Sequence, residues 1–253
     1  MINFDVISIF PEMFSALTQQ GVIAKALKNK LFNLNLHQLR DFSRNRNIDN
    51  SSYGGEGQVM MLEPLVLALN YCKSLSLKEH GADQSPTTSK TIYLSPQGVT
   101  VDQKIIKTLA DNKHIILICG RYEGVDQRFI DHYIDLELSI GDFIVSGGEL
   151  PAMILIDAIV RQKPNVIKSY SQDYESFNHH LLDFPHYTKP RDYNGYKIPD
   201  ILISGDHKKI ADWRLKQSII NTLKKRPELI RNNLSLSKEE IEIVINYIND
   251  HSS

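Results

Sequence analysis

An α/β domain built on a parallel sheet, followed by a small all-helical domain, is the architecture this sequence predicts, and three observations carry that reading. Runs rich in β-branched and aromatic residues recur at 2–10, 91–94 and 115–119, as in strands buried on both faces of a parallel sheet. A helical apolar spacing, Ile105, Ile106 and Leu109, separates the last two runs, which gives the strand, helix, strand alternation of an α/β domain. Past Lys163 the chain turns polar and aperiodic, and then becomes helical in pattern with crowded basic residues.

The first run carries Asp5, stops at Pro11, lacks a basic leader and is too short to span a bilayer. It therefore reads as a first strand leading into a helix, not as a targeting or membrane segment. The polar stretch 74–90, with Gly81 and Pro86, reads as a surface loop. After Gly147 and Gly148, Glu149-Leu150-Pro151 opens an apolar helix through Ala152, Ile156 and Ile159, with Pro151 in the first turn, where its missing N–H costs nothing. Residues 164–180 read as a mobile interdomain linker, so the expected organisation is a domain over 1–163, the linker, and a helical domain over 181–253. In that last part Ile210, Trp213, Gln217, Ile220 and Leu223 form one stripe among Lys209, Lys216, Lys224, Lys225 and Arg226. Ser237 and Glu240 form a capping-box signature ahead of a final amphipathic helix.

Composition narrows the classes. With 42% hydrophobic and 23% charged residues, the chain of 253 reads as globular, not disordered. A net charge of -1 means that any nucleic-acid partner is held by a local basic face, since the whole molecule offers no attraction. Cys72 and Cys119 follow no metal-ligand spacing and fit a reducing cytoplasm. His179, His180 and His186 lack a companion cysteine or carboxylate geometry, so no metal site is assigned.

The glycines say more. A dinucleotide-binding fold carries a Gly-x-Gly turn directly after its first strand; Pro11-Glu12-Met13-Phe14 stands there instead, which argues against a nucleotide-dependent oxidoreductase. Glycine turns cluster later, in Ser95-Pro96-Gln97-Gly98, in Gly120-Arg121-Tyr122-Glu123-Gly124 and between Ser139 and Pro151. Turns of this kind at the carboxyl ends of successive strands converge on one ligand, which bare backbone can then approach.

At these residues the sequence resembles the bacterial tRNA (guanine-N(1))-methyltransferase family of the SPOUT superfamily, which modifies the nucleotide at position 37, just 3′ of the anticodon. The match runs through Leu94-Ser95-Pro96-Gln97-Gly98, Leu117-Ile118-Cys119-Gly120-Arg121-Tyr122-Glu123-Gly124, the segment 139–151, Leu181 to Pro190 and Trp213-Arg214-Leu215-Lys216-Gln217-Ser218, in fixed order over nearly the whole chain. The resemblance implies a deep trefoil knot in the first domain, an exception to the rule that chains do not thread loops. It implies S-adenosylmethionine as methyl donor, bound by Tyr93, Ser95, Pro96, Gly120, Glu123, Ile140, Gly141, Phe143, Val145, Gly147, Gly148 and Pro151. It also implies a homodimer with a shared active site, a tRNA partner and magnesium with no nameable ligand.

Guanine N1 carries a proton at neutral pH and needs a base before it can accept a methyl group. The family's linker aspartate corresponds here to Glu175, with Asp173 or Asp183 as alternatives, and Arg161 matches the arginine that stabilises charge on the base's exocyclic oxygen. Without the resemblance, Arg161 reads as a solvated residue closing a helix. The loop from Tyr53 to Met61, with Gly55, touches the target guanosine in the family; here it is one residue short and Glu56 intrudes. His180 stands where glycine is usual, and Phe143 where tyrosine is. Tyr187, Lys189, Arg214 and Lys216 are the expected RNA contacts, on a basic face that is otherwise an ordinary solvated helix. The rival readings are a SPOUT methyltransferase with another RNA target and a catalytically lapsed RNA-binding relative.

Overall fold

The computed structural model describes residues 1–80, 89–167, 175–177, 179–231 and 236–251. Contacts divide the chain into two compact units, Met1–Ile167 and Lys168–Ser253. Much of the expected linker, including 168–174 with Asp173, lies outside the described residues.

In the first unit β1 (Ile2–Ser8) is buried along its whole length, its apolar residues interrupted by the buried polar Asn3, Asp5 and Ser8. A short 3-10 turn at Pro11–Phe14 leads to α1 (Ser15–Thr18) and α2 (Gly21–Lys28), and then to β2 (Phe32–Gln38). A small antiparallel hairpin follows, β3 (Asp49–Ser51) with β4 (Gln58–Met60), and then α3 (Leu62–His80). The remaining elements are β5 (Ser89–Thr100), α4 (Gln103–Ala110), β6 (His114–Cys119), α5 (Gln127–Tyr133), β7 (Leu136–Ser139) and α6 (Glu149–Arg161). Among the described residues the main sheet runs in the order β2, β1, β6, β5, β7 with every pairing parallel. Ile2, Phe4 and Val6 pack with residues of α2, α4 and α6 on one face, while Ile7 packs with Leu65, Leu69 and Phe129 of α3 and α5 on the other.

Two expectations need correcting. The supposed loop over 74–90 is helical as far as His80 and strand from Ser89. The periodic burial of Leu65, Leu69 and Cys72 gives α3 a core-facing side from which it continues, and serines do not stop a helix anchored in this way. The strand expected at 91–94 extends to Thr100 because the register on β7 shifts between Leu94 and Val99, so that both pair with Leu138. The intervening Ser95-Pro96-Gln97-Gly98 therefore leaves the ladder, as at a β-bulge.

Asp5 is a charge inside this core. Its Oδ1 pairs with His37 Nε2 and its Oδ2 with His114 Nε2, each at 2.6 Å, and Asn35 Nδ2 donates to Oδ1 at 3.1 Å. Burial alone pushes the carboxyl up, but hydrogen bonds from His114 and His37, with their charges, outweigh it and hold the pKa at about 2.

In the second unit a short hairpin, β8 (Asp192–Tyr193) with β9 (Tyr196–Lys197), precedes α7 (His207–Lys225), α8 (Pro227–Arg231) and α9 (Lys238–His251). Asp206 caps α7 by accepting from Lys209 N at 3.1 Å. The capping box of α9 is present: Ser237 N donates to Glu240 Oε2 at 2.7 Å and Glu240 N to Ser237 Oγ at 3.2 Å. The buried cluster is Leu181, Ile219 and Ile230, packed by Leu215, Leu223 and Val244. The face of α7 that is buried is thus centred on Ile219 and Thr222 instead of Trp213 and Ile220. Thr222 is accommodated because its hydroxyl donates to Ser218 O and accepts from Leu182 N. Among the described residues no helix is long and apolar enough to cross a membrane.

Candidate functional site

A cleft of about 320 Å³ opens at the bulge of β5 and the ends of β6 and β7. Its walls are Tyr93 to Gln97 at the bulge of β5, Gly120 to Gly124 after β6, and Leu138 to Gly141, Phe143 to Gly148 and Pro151 from β7 to the first turn of α6. All the residues that the resemblance implies for the methyl donor lie on it: Tyr93, Ser95, Pro96, Gly120, Glu123, Ile140, Gly141, Phe143, Val145, Gly147, Gly148 and Pro151. Gln97, Arg121, Tyr122 and Gly124 line it as well.

Glycine is required where the walls approach each other. A Cβ on Gly148 would stand 2.7 Å from Cys119 Cα and 2.9 Å from Gly120 N, both backbone atoms that cannot swing aside. Gly148 N donates to Gly120 O at 2.9 Å, joining the α6 turn to the β6 turn. The cleft is therefore lined largely by main chain, and a ligand meets bare N–H and C=O groups there.

One ion pair holds this corner. Arg121 Nε donates to Glu149 Oε2 at 2.8 Å, and its Nη1 to Ser146 O at 3.0 Å. Glu149, fully buried at the start of α6, also accepts from Ser8 Oγ at 2.7 Å. The guanidinium lies over Phe10, 4.7 Å from the ring centroid, and fills the space that a side chain at Gly147 would need. Sequence reasoning missed this pair: the partners are 28 residues apart, and no periodicity links a loop arginine to a helix-opening glutamate. Burial, with the Tyr93 hydroxyl also facing the charge of Glu137, pushes Tyr93 up to about 12, and burial first and Glu149 second push the Cys119 thiol well up. Both stay neutral near pH 7, and Cys119 acts as the small buried hydrophobe its spacing implied.

The glycine loop joins this site through the backbone. Glu123 N donates to Gln58 O, Met60 N to Gly124 O and Asp126 N to Met60 O, at 2.9 to 3.0 Å. The β3–β4 hairpin is thereby sewn alongside the turn after β6. Gly55 is exposed at the hairpin tip.

A second, open hollow of about 570 Å³ follows α6, lined by Ile140, Phe143, Leu150, Met153, Ile154 and Arg161 among others. Arg161 ends α6; Asp157, one turn earlier, is raised by burial and held back by the charge of Arg161. In the second unit Glu175 is half-buried. Asp183 accepts from His186 Nε2 at 2.9 Å and from Phe184 N at 2.7 Å. Arg214 lies over the Phe184 ring, 4.9 Å from its centroid, Tyr187 stands 6.5 Å from Trp213, and Lys189 and Lys216 are exposed. Among the described residues one group has metal-ligand proximity, Asp5, His37 and Cys72, inside the core of the first unit and sharing no residue with the cleft.

A parallel α/β sheet with a backbone-lined cleft at its carboxyl edge defines a protein that binds a compact ligand rich in polar atoms. Comparison with known proteins sharpens the class. Residues 2–232 match the family model described as tRNA (Guanine-1)-methyltransferase TrmD, and the chain belongs to that family. A tRNA (guanine-N(1)-)-methyltransferase of Buchnera aphidicola subsp. Baizongia pistaciae is 49% identical over 95% of this chain and 94% of its own. One from Idiomarina loihiensis is 47% identical over 98% and 96%. The crystal structure of tRNA (m1G37) methyltransferase from Aquifex aeolicus is similar, with a TM-score of 0.70 and 36% identity, covering 92% of this chain and 96% of that one.

Proposed function

We propose that this chain transfers a methyl group from S-adenosylmethionine to N1 of the guanosine at position 37 of tRNA. The observation that carries the reading is the single cleft on which every residue implied for the methyl donor meets. Its volume falls in the range of small-molecule sites, and its glycine-bared walls suit a ligand carrying adenine, ribose and amino-acid groups.

S-adenosylmethionine supplies an electrophilic methyl on a sulfonium. The chain's own residues do the rest: the main chain of the three turns holds the donor, and Arg121 with Glu149 fixes the turn that faces it. Glu175 accepts the N1 proton, leaving N1 with the electron pair that forms the new N–CH3 bond while the old C–S pair stays on sulfur. Arg161 stabilises the charge that develops on the exocyclic oxygen. Exposed Lys189 and Lys216, with Tyr187 and Arg214, bind the RNA, and Gly55 reaches the target base.

The exposed apolar side chains Phe143, Ile144, Leu150 and Ile154, beside the open hollow, support pairing of two copies through this face. The first unit carries the trefoil knot of the family, and the protein works in the cytoplasm. Magnesium fits poorly: among the described residues the one ligand cluster, Asp5, His37 and Cys72, offers a single oxygen beside nitrogen and sulfur, where magnesium takes a full shell of oxygens.

The test is transfer of a labelled methyl group to two tRNA transcripts, with guanosine or adenosine at position 37. Label on the guanosine transcript alone, mapped to N1, is the expected result. Donor binding without transfer to either would favour another RNA target or a lapsed enzyme.

A further inference from the structure

Gly57, in the loop assigned to the target guanosine, and Glu123, on the wall of the donor cleft, are in direct contact. A Cβ built on Gly57 would lie 2.6 Å from Glu123 Cγ, 3.1 Å from its Oε1 and 3.2 Å from its Cδ. Sliding the two segments apart is opposed by the backbone hydrogen bonds that join them directly after Gly57, and Gly57 is itself tied back to Ser52. Glu123 N donates to Gln58 O at 3.0 Å, Met60 N to Gly124 O at 2.9 Å, and Ser52 N to Gly57 O at 3.1 Å. Gly57 also sits at φ +96°, where an L residue is strained. The Glu123 side chain, by contrast, is exposed and jointed.

We infer that Gly57 is a positioning residue for Glu123: its missing side chain leaves the space in which the Glu123 carboxylate rests against the donor cleft, so the guanosine loop forms part of the donor site. The inference rests on the reading of the cleft as a site for S-adenosylmethionine. Any side chain at 57 swings the carboxylate away from a ligand that carries positive charge on its sulfonium and its amino group, and such an attraction falls with distance. The coupling runs both ways by linkage: a donor that fixes Glu123 also restrains the loop that receives the base.

Calorimetric titration of the full chain with S-adenosylmethionine, without RNA, tests this. Gly57→Ala is expected to weaken binding by about fivefold or more, a loss comparable with that in Glu123→Gln. Gly54→Ala is the control for loop strain, since Gly54 also has a positive φ, +71°, but nothing within 4 Å of its Cβ position; its donor affinity stays within about twofold of wild type. In a Glu123→Ala background, which removes the struck atom, Gly57→Ala should cost no further affinity.

Unchanged affinity in Gly57→Ala overturns the inference, as does an equal loss with Glu123 truncated, which would trace the effect to loop strain. If wild type does not bind S-adenosylmethionine at all, the functional reading falls and takes this inference with it. Should Gly57→Ala not fold, hydrogen exchange of the 52–57 amides decides. Saturating donor is expected to slow it in wild type and not in Glu123→Ala; no slowing in wild type overturns the inference.

Discussion

The two units present their functional groups in opposite ways. In the first, the cleft is made of main chain, and side chains such as Arg121 and Glu149 serve to hold that main chain still. In the second, the groups assigned to tRNA are exposed side chains, Lys189 and Lys216 among them, over a small core of Leu181, Ile219 and Ile230. A backbone site demands glycine and fixed geometry, whereas a phosphate-binding surface demands only charge at the right spacing. On the proposed function, donor binding belongs to the first unit and the proposed base, Glu175, to the second.

Glu175→Gln draws that line most sharply. The amide cannot take the N1 proton, so methyl transfer is expected to fall by about 10³-fold, within the usual range for loss of a general base. Titration with S-adenosylmethionine should give wild-type affinity. Retained transfer would return the role to Asp173 or Asp183, and loss of donor binding would break the division between the units.

Arg121→Ala probes the opposite side. It strands Glu149, fully buried, with the Ser8 hydroxyl still donating to it, and removing one member of a buried pair costs about 3 kcal/mol or more. Chemical unfolding should show that loss, together with weaker donor binding as the turn from Ser146 to Gly148 loosens. Adding Glu149→Gln should recover part of the stability, because the stranded charge goes. Full additivity of the two substitutions would mean that the pair does not act as a unit.

What could be read in advance follows from the same contrast. The strands of 2–10 and 115–119 were legible because burial on both faces favours runs rich in apolar and β-branched residues, and the glycine turns because backbone approach excludes a Cβ. The strings around Gly120 and Gly148 therefore indicated residues that do meet in one cleft. The contacts between them were not legible. Gly57 against Glu123 and Arg121 against Glu149 join segments whose relative placement only the folded sheet fixes. The α7 stripe was misread for a related reason: helical periodicity allows several faces, and the packing of Leu181 and Ile230 selected the one centred on Ile219.

The smallest expected effect lies in the core of the first unit, where Asp5 places a charge inside a fully buried strand. Its carboxyl falls from an ordinary 3.8 to about 2 on folding, so the folded state holds the ionised form more strongly than the unfolded chain does. The sign follows from linkage: the stabilisation is fully present above about pH 4 and is lost as pH falls through the folded value near 2. At 1.36 kcal/mol per pKa unit it amounts to about 2.5 kcal/mol. Urea midpoints of wild type and Asp5→Asn, measured from pH 7 down to 2, should therefore differ by a constant amount above pH 5 and converge below pH 4. A difference that persists unchanged to pH 2 would mean that the two histidines do not hold Asp5 as a carboxylate, and that the strand tolerates it for its shape alone.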